Sequence, residues 1–284
     1  MIAPAPGAAT IDAWAASRRA ELDRLFEERL APPPEGDPGR LLEAMRYSLL
    51  APGKRIRPLL ALAAAETVRP VDGDMLLACG AVELVHCYSL IHDDLPPMDD
   101  DDFRRGRPSN HKAFGEATAI LAGDALLTLA FDWIADAGER AARPQHFLAA
   151  SRALARGAGA FGMVRGQARD LGEPPPTTLA ALETLHAEKT AALFRAALEV
   201  GGCVAGATPD ALAALARYGA AYGVAFQHAD DITDQEHAEH AGAAQARLDS
   251  LISEACAAVA SLEARGDRLT ALARALSRRT SDPI

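Results

Sequence analysis

An apolar segment that runs straight into a block of carboxylates is the feature that most limits how this chain can fold. Residues 81–90 are mostly apolar, and soon after them come Asp93, Asp94 and Asp99 to Asp102, with Arg104, Arg105 and Arg107 directly behind. Carboxylates packed this closely repel one another and raise each other's pKa unless cations neutralise them. A charge run alone is ordinarily a solvated loop. Here the preceding segment has the character of a buried helix, so its acidic end is expected to open into a cleft.

A second acidic cluster closes the stretch YGVAFQHADDITD, residues 222–234. On a helix Asp230 and Asp234 lie one turn apart on the same face, with Asp231 beside them. Mg2+ favours carboxylate oxygens supplemented by water and substrate phosphates. Asp93, Asp94, Asp99, Asp230 and Asp234 are therefore candidate metal ligands, and Asp231 belongs to the same cluster. One DDxxD pattern is weak evidence. Two, in separate apolar helices with basic residues between them, point to a diphosphate held through metal ions.

Hydrophobic residues make up 49% of the 284, with alanine and leucine dominant, while aromatics reach only 5%. Alanine and leucine lose little on entering a helix, so an all-α fold is expected. Helices are expected at 11–30, 39–50, 58–67, 72–95, 115–136, 145–165, 177–201, 209–235, 240–264 and 267–279, with 1–10 as a frayed arm. Pro96 and Pro97 should end or kink the central helix. No composition shift marks a boundary, so residues 1–284 are expected to form one helical domain around a deep cavity.

No uninterrupted apolar run reaches bilayer length, and the N-terminus lacks the regions of a signal peptide. A cytoplasmic protein without stable membrane insertion is expected. The net charge of -10 argues against a nucleic-acid partner. Cys79, Cys87, Cys203 and Cys256 lack metal-ligand spacing and read as buried, reduced thiols.

The basic residues carry two readings each. Lys54, Arg55 and Arg57 follow Gly53 in what is either a surface turn or a phosphate site, and Arg104 and Arg105 suit either a phosphate or the nearby aspartates. Lys189 and Thr190 head an apolar helix, where an ammonium and a hydroxyl suit phosphate oxygens. Gln167 and Asp170 in VRGQARD, and Gln227 one turn before Asp231, fit a substrate contact or a polar core network equally well. No nucleophilic triad, phosphate loop or nucleotide fingerprint accompanies them. An apolar interior with charged rims suits ionisation of an allylic diphosphate, in which water is excluded until the carbocation is captured.

The segments GKRIRP, HCYSLIHDDLPPMDDDDFRRGRPSNH, ATAILAGDALLTLAF, GQARD, EKTAAL and FQHADDITD occur in this order over about residues 40–234. Together they resemble the trans-isoprenyl diphosphate synthases, in particular the bacterial farnesyl diphosphate synthases. The resemblance implies an all-α isoprenoid synthase fold of roughly ten helices, a homodimer, and three Mg2+ ions with bound diphosphate. It also implies head-to-tail condensation of isopentenyl diphosphate with an allylic diphosphate. By position, Asp93, Asp94 and Asp99 match the first aspartate-rich motif and Asp230, Asp231 and Asp234 the second. Lys54, Arg57, His86 and Arg105 match residues that hold isopentenyl diphosphate; Arg104, Lys189, Thr190 and Gln227 match residues around the allylic diphosphate. In the family the departing diphosphate is itself the base.

Tyr88 and Ser89, five and four residues before Asp93, match the places that set product length. An aromatic there implies a C15 product, with C20 as the alternative. A related cyclase and a non-catalytic subunit are the competing classes. The retained isopentenyl-site residues count against the first, and the two acidic motifs against the second. One departure stands out. The family's Gly- and Lys-bearing segment after the second motif is missing; Gln235, His237 and His240 stand in its place, and no lysine follows Lys189. Arg278 and Arg279 resemble the family's basic C-terminal end.

Overall fold

Alanine- and leucine-rich segments form helices almost throughout the computed structural model, which describes residues 8–32, 36–172, 174–234 and 241–281. In chain order the helices are α1 (Ala8–Arg29), α2 (Leu41–Leu49), α3 (Ile56–Glu66), α4 (Gly73–Asp93), α5 (Asn110–Phe114), α6 (Glu116–Arg140) and α7 (Pro144–Ala158). There follow α8 (Met163–Gly172), α9 (Leu179–His186), α10 (Ala192–Ala205), α11 (Pro209–Asp234), α12 (Ala241–Ala258) and α13 (Asp267–Ser281). Caps and prolines set the ends as local chemistry requires. The Asp72 carboxylate accepts the Met75 N–H at 2.9 Å to start α4, and Pro144 opens α7.

Three local features depart from the expected pattern. The stretch 145–165 is two helices, because Gly157, Gly159 and Gly162 weaken helix between α7 and α8. The stretch 177–201 is interrupted by a π-turn at Ala187–Ala191 that joins α9 to α10. Between α4 and α5 lies a two-stranded antiparallel hairpin, β1 (Phe103–Arg104) with β2 (Arg107–Pro108), for which the acidic run offered no periodicity signal.

Helix α4 is buried over most of its circumference and packs on α3, α6 and α10. Two apolar clusters result. One joins Phe26, Leu62, Leu84, Trp133 and Ala197; the other joins Leu60, Phe194, Tyr218, Leu248 and Leu269. Helices α3 and α10 contribute to both, so they are the shared wall. By length and composition α4 and α6 would each suffice to cross a membrane, but 72% of the α4 window is buried inside the protein; for α6 the figure is 39%.

Charge ties the N-terminal helix to this frame. Glu66, at the end of α3, accepts from Trp14 and Arg18 of α1 and from Arg268 of α13. Arg55 is buried, paired with Glu83 of α4 at 3.1 Å and Asp23 of α1 at 3.1 Å. Its side chain is 3% exposed and that of Glu83 4%, which makes Arg55 a structural residue, not a ligand for substrate. Removing one partner of a buried ion pair strands the other. Glu83→Ala is therefore expected to lower unfolding free energy by about 3–5 kcal/mol, measured by urea denaturation of parent and variant.

Candidate active site

The acidic end of α4 needs countercharge, and two different devices supply it. Asp93 is the last residue of α4 and Asp94 caps it; the following turn is closed by the Asp99 N–H donating to the Asp93 carbonyl at 2.9 Å. Asp94 is buried, and Arg104 from the hairpin donates to its Oδ1 through Nε at 2.8 Å while also bonding Asp101 at 2.7 Å. Burial pushes the Asp94 carboxyl up and the Arg104 bond pulls it back. Arg104 thus resolves in favour of the aspartates, and Asp94 is engaged by protein. Asp93 has no such bond: burial pushes it up to about 6, Asp99 adds to the rise, and Lys189 opposes it.

The hairpin that carries Arg104 is itself anchored. The Tyr47 hydroxyl of α2 donates to the Pro108 carbonyl at 2.8 Å, and the Arg107 guanidinium lies 3.9 Å above the Tyr47 ring. Its turn delivers Arg105 to the loop before α3, where Nη1 donates to the Pro52 carbonyl at 3.4 Å. A Cβ at Gly53 would stand 2.8 Å from that guanidinium, so a larger residue there would make the Arg105 side chain shift. Lys54, beside Gly53, and Arg105 are both exposed at this rim.

Arg57 and His86 form the inner part of the same basic wall. Arg57 Nη1 lies 3.2 Å from His86 Nε2, and the guanidinium stacks 4.3 Å over Phe194. Burial lowers Arg57 to about 10, with Glu83 and Asp230 holding it up. His86 falls well below the ordinary histidine range, first through burial and then through Arg57 and Arg105. It is neutral, and Nε2 accepts from Arg57, a tautomer inferred from the bond.

Across the cavity the π-turn places Lys189 and Thr190. Lys189 Nζ donates to Asp170 of α8, and Thr190 Oγ1 donates to Gln227 Oε1 at 3.0 Å. Gln227 Nε2 donates in turn to Asp231 Oδ1 at 2.9 Å, while Asp231 Oδ2 lies 3.4 Å from His186 Nε2. Asp231 is buried in this network, whereas Asp230 is half-buried and its charge reaches Arg57. The Asp234 side chain, Gln235, His237, His240 and the side chains of Arg278 and Arg279 lie outside the described residues.

Between these walls is a cavity of about 480 Å³ lined by Arg57, His86, Tyr88, Ser89, His92, Asp93, Met98, Met163, Gln167, Leu171, Lys189 and Thr190 among others. Its lining combines charged residues, Arg57, Asp93 and Lys189, with apolar ones, Met98, Met163 and Leu171. Tyr88 is buried, edge-on to His92 with ring centroids 5.7 Å apart. His92, Met98 and Met163 line the cavity without being site candidates in the sequence, and Gln167, open there between a substrate contact and a core network, lines it too. Gln167 had a signal in VRGQARD, and its buried amide has no hydrogen-bond partner among the described residues. For the methionines there was none, because an apolar residue reads alike in a core and in a cavity wall.

The model of the polyprenyl synthetase family matches residues 38–268. The chain belongs to that family. It is 48% identical over 207 residues to a farnesyl diphosphate synthase of Geobacillus stearothermophilus, an overlap of 71% of this chain and 68% of the relative. It is 46% identical over 205 residues to geranylgeranyl pyrophosphate synthase 12, chloroplastic, of Arabidopsis thaliana, covering 71% of this chain but only 57% of the plant protein. Among solved structures, an apo FPP/GFPP synthase from Zymomonas mobilis superposes with a TM-score of 0.88 at 37% identity, covering 95% of this chain and 99% of that one. The isoprenoid synthase fold is thereby shown, with thirteen α-helices among the described residues against the ten expected, because the π-turn and the α7–α8 break each divide one and the short α5 adds another.

Two expectations follow from the geometry. Gly166 of α8 lies against the π-turn, where an added Cβ would come within 2.2 Å of the Lys189 backbone nitrogen. Gly166→Ala should shift Lys189 and Thr190 and weaken binding of inorganic diphosphate with Mg2+ by at least about tenfold, the equivalent of one charge-assisted bond. Gly172→Ala, where nothing lies within 4 Å, should leave it unchanged; calorimetry on both variants checks this.

The second concerns Asp93. Its folded value of about 6 lies above the ordinary 3.8, so the folded state binds the extra proton. Its contribution to stability is present below about pH 4 and lost as the pH rises through 6. In chelator, the fall in melting temperature between pH 4 and 7 should be smaller in Asp93→Asn than in the parent, as read by thermal melts.

Proposed function

We propose that the protein condenses isopentenyl diphosphate head-to-tail with dimethylallyl or geranyl diphosphate, in a Mg2+-dependent reaction that gives farnesyl diphosphate. The observation that carries this reading is the cavity: Asp93 at the acidic end of α4, Arg57 and Lys189 line it together with Tyr88, Met98, Met163 and Leu171. Its volume lies within the usual range for small-molecule sites.

The residues fit the metal. Asp93 is a half-buried carboxylate with no protein cation bonded to it among the described residues, and a carboxylate so placed gains from a bound dication. Asp93, Asp99 and Asp230 would ligate directly. Asp94, held by Arg104, and Asp231, held by Gln227, would orient the two motifs instead, with Asp234 completing the second. Bound Mg2+ supplies charge that stabilises a departing diphosphate.

The chain's own residues do the remainder. Arg57, with neutral His86 beside it, and the exposed Lys54 and Arg105 receive the isopentenyl diphosphate. Lys189, Thr190 and Gln227 orient the allylic diphosphate, with Arg104 acting through Asp94. Met98, Met163 and Leu171 keep water from the allylic cation, and the departing diphosphate takes the final proton. Arg247 of α12 does not take the place of the missing lysine, since it is engaged by Glu183 at 2.9 Å and by Glu254 at 2.6 Å. A homodimer accompanies this reading. It is supported by Ile120 and Leu121 of α6 and Leu148 of α7, large apolar side chains that are all exposed.

Tyr88 sets the depth in this proposal. Incubation with isopentenyl and dimethylallyl diphosphates, with and without Mg2+, should give C15 only with the metal. Tyr88→Ala should extend the product to C20 or beyond. A parent that already makes C20, as the names of the plant relatives allow, would move the floor elsewhere; a parent inactive with Mg2+ would sink the activity itself.

A further inference from the structure

Behind the cavity, Asp231 of the second acidic motif meets two histidines, His186 and His228, for which the condensation has no role. His186 ends α9, and His228 and Asp231 are three residues apart on α11, the spacing that puts two side chains on one helical face. The three offer ligand atoms that lie within 4.8 Å of one another. All are buried: the side chains are 7% exposed for His186, 6% for Asp231 and 0% for His228. The two imidazole rings meet edge to face with centroids 5.2 Å apart.

We propose that His186, His228 and Asp231 form a binding site for a transition-metal dication of the Zn2+ class, separate from the acidic helix ends that face the cavity. Two imidazoles and a carboxylate form a donor set that suits Zn2+ and leaves a fourth position open, whereas Mg2+ selects oxygen. The outer contacts have the matching form. Histidine ligands characteristically donate their second N–H to a carboxylate. His228 Nε2 faces Glu183 Oε1 at 3.3 Å, and its Nδ1, fully buried, has no hydrogen-bond partner among the described residues. Glu183 is itself fixed by Arg247 at 2.9 Å.

Asp231 is oriented for the same role. Gln227 occupies its Oδ1, and Oδ2 is turned to His186 at 3.4 Å. Ligands about 2.0–2.1 Å from a tetrahedral ion stand roughly 3.4 Å apart, so the side chains must draw inward by about an ångström on binding. Such binding would clamp α9 to α11 and hold a carboxylate of the catalytic cluster, so Zn2+ would act from behind the site and not by competition with Mg2+.

Co2+ is the probe, because four-coordinate Co2+ with nitrogen ligands absorbs strongly in the visible and Mg2+ does not. It is titrated into the full chain with Mg2+ in large excess to fill the acidic helix ends. One equivalent should produce the visible band, and Zn2+ should remove it. His228→Leu, and separately His186→Gln, should lose the band and bind at least about tenfold more weakly, with helical circular dichroism retained. The double variant His237→Ala/His240→Ala should keep it. No band in the parent, an unchanged band in either single variant, or its loss in the double variant overturns the site.

Discussion

Burying carboxylate charge is costly unless a cation or hydrogen bonds compensate, and the end of α4 concentrates that cost at one point. Much around the cavity is explicable as a response to it. Arg104 is delivered by a hairpin that Tyr47 pins to α2, and it satisfies Asp94 and Asp101. Lys189 reaches in from the π-turn and lowers the cost of Asp93 without bonding it. What remains without a bonded cation is Asp93 itself, beside an exposed Asp99.

The opposite wall depends on close backbone approach instead of charge. Lys189 and Thr190 sit on a π-turn, a conformation that is rare and gathers at functional sites. The turn is wedged between α8, at Gly166, and α11, and it hands Thr190 to Gln227 and Gln227 to Asp231. A hydrogen-bonded chain thus runs from Thr190 at the cavity to Asp231 on the buried face of the second acidic motif. There His186, His228, Glu183 and Arg247 continue it toward α12.

That continuation bears on the missing lysine segment. Past Asp234 the chain sends back an arginine, Arg247, but to Glu183 and Glu254 and not to the cavity. Among the described residues the cations that line the cavity are Arg57 and Lys189, and both precede the second motif. Arg104 spends its charge on aspartates, and Arg57 shares its guanidinium with His86 and the Phe194 ring.

The sequence by itself determined the fold class, the family and the identity of the two acidic motifs. These depend on composition and on residue spacing along single helices, which are local properties. It also placed the breaks at Pro144 and after Asp94, where proline and cap chemistry act within a few residues. Tertiary structure alone decided the roles. Asp93 and Asp94 are adjacent and chemically identical in the sequence, yet one is engaged by Arg104 and the other faces the cavity, because the hairpin arrives on one side only. Asp231 is buried and bonded by Gln227, whereas its neighbour Asp230 is half-buried and its charge reaches Arg57. Arg55 and Arg57 likewise part company, the first into a buried pair with Glu83 and the second to His86. Helical periodicity says which residues share a face, but which face meets water, a cavity or another helix is set by packing partners distant in the chain. The His186–His228–Asp231 cluster is the clearest instance, since its members lie on two elements that only the fold brings together.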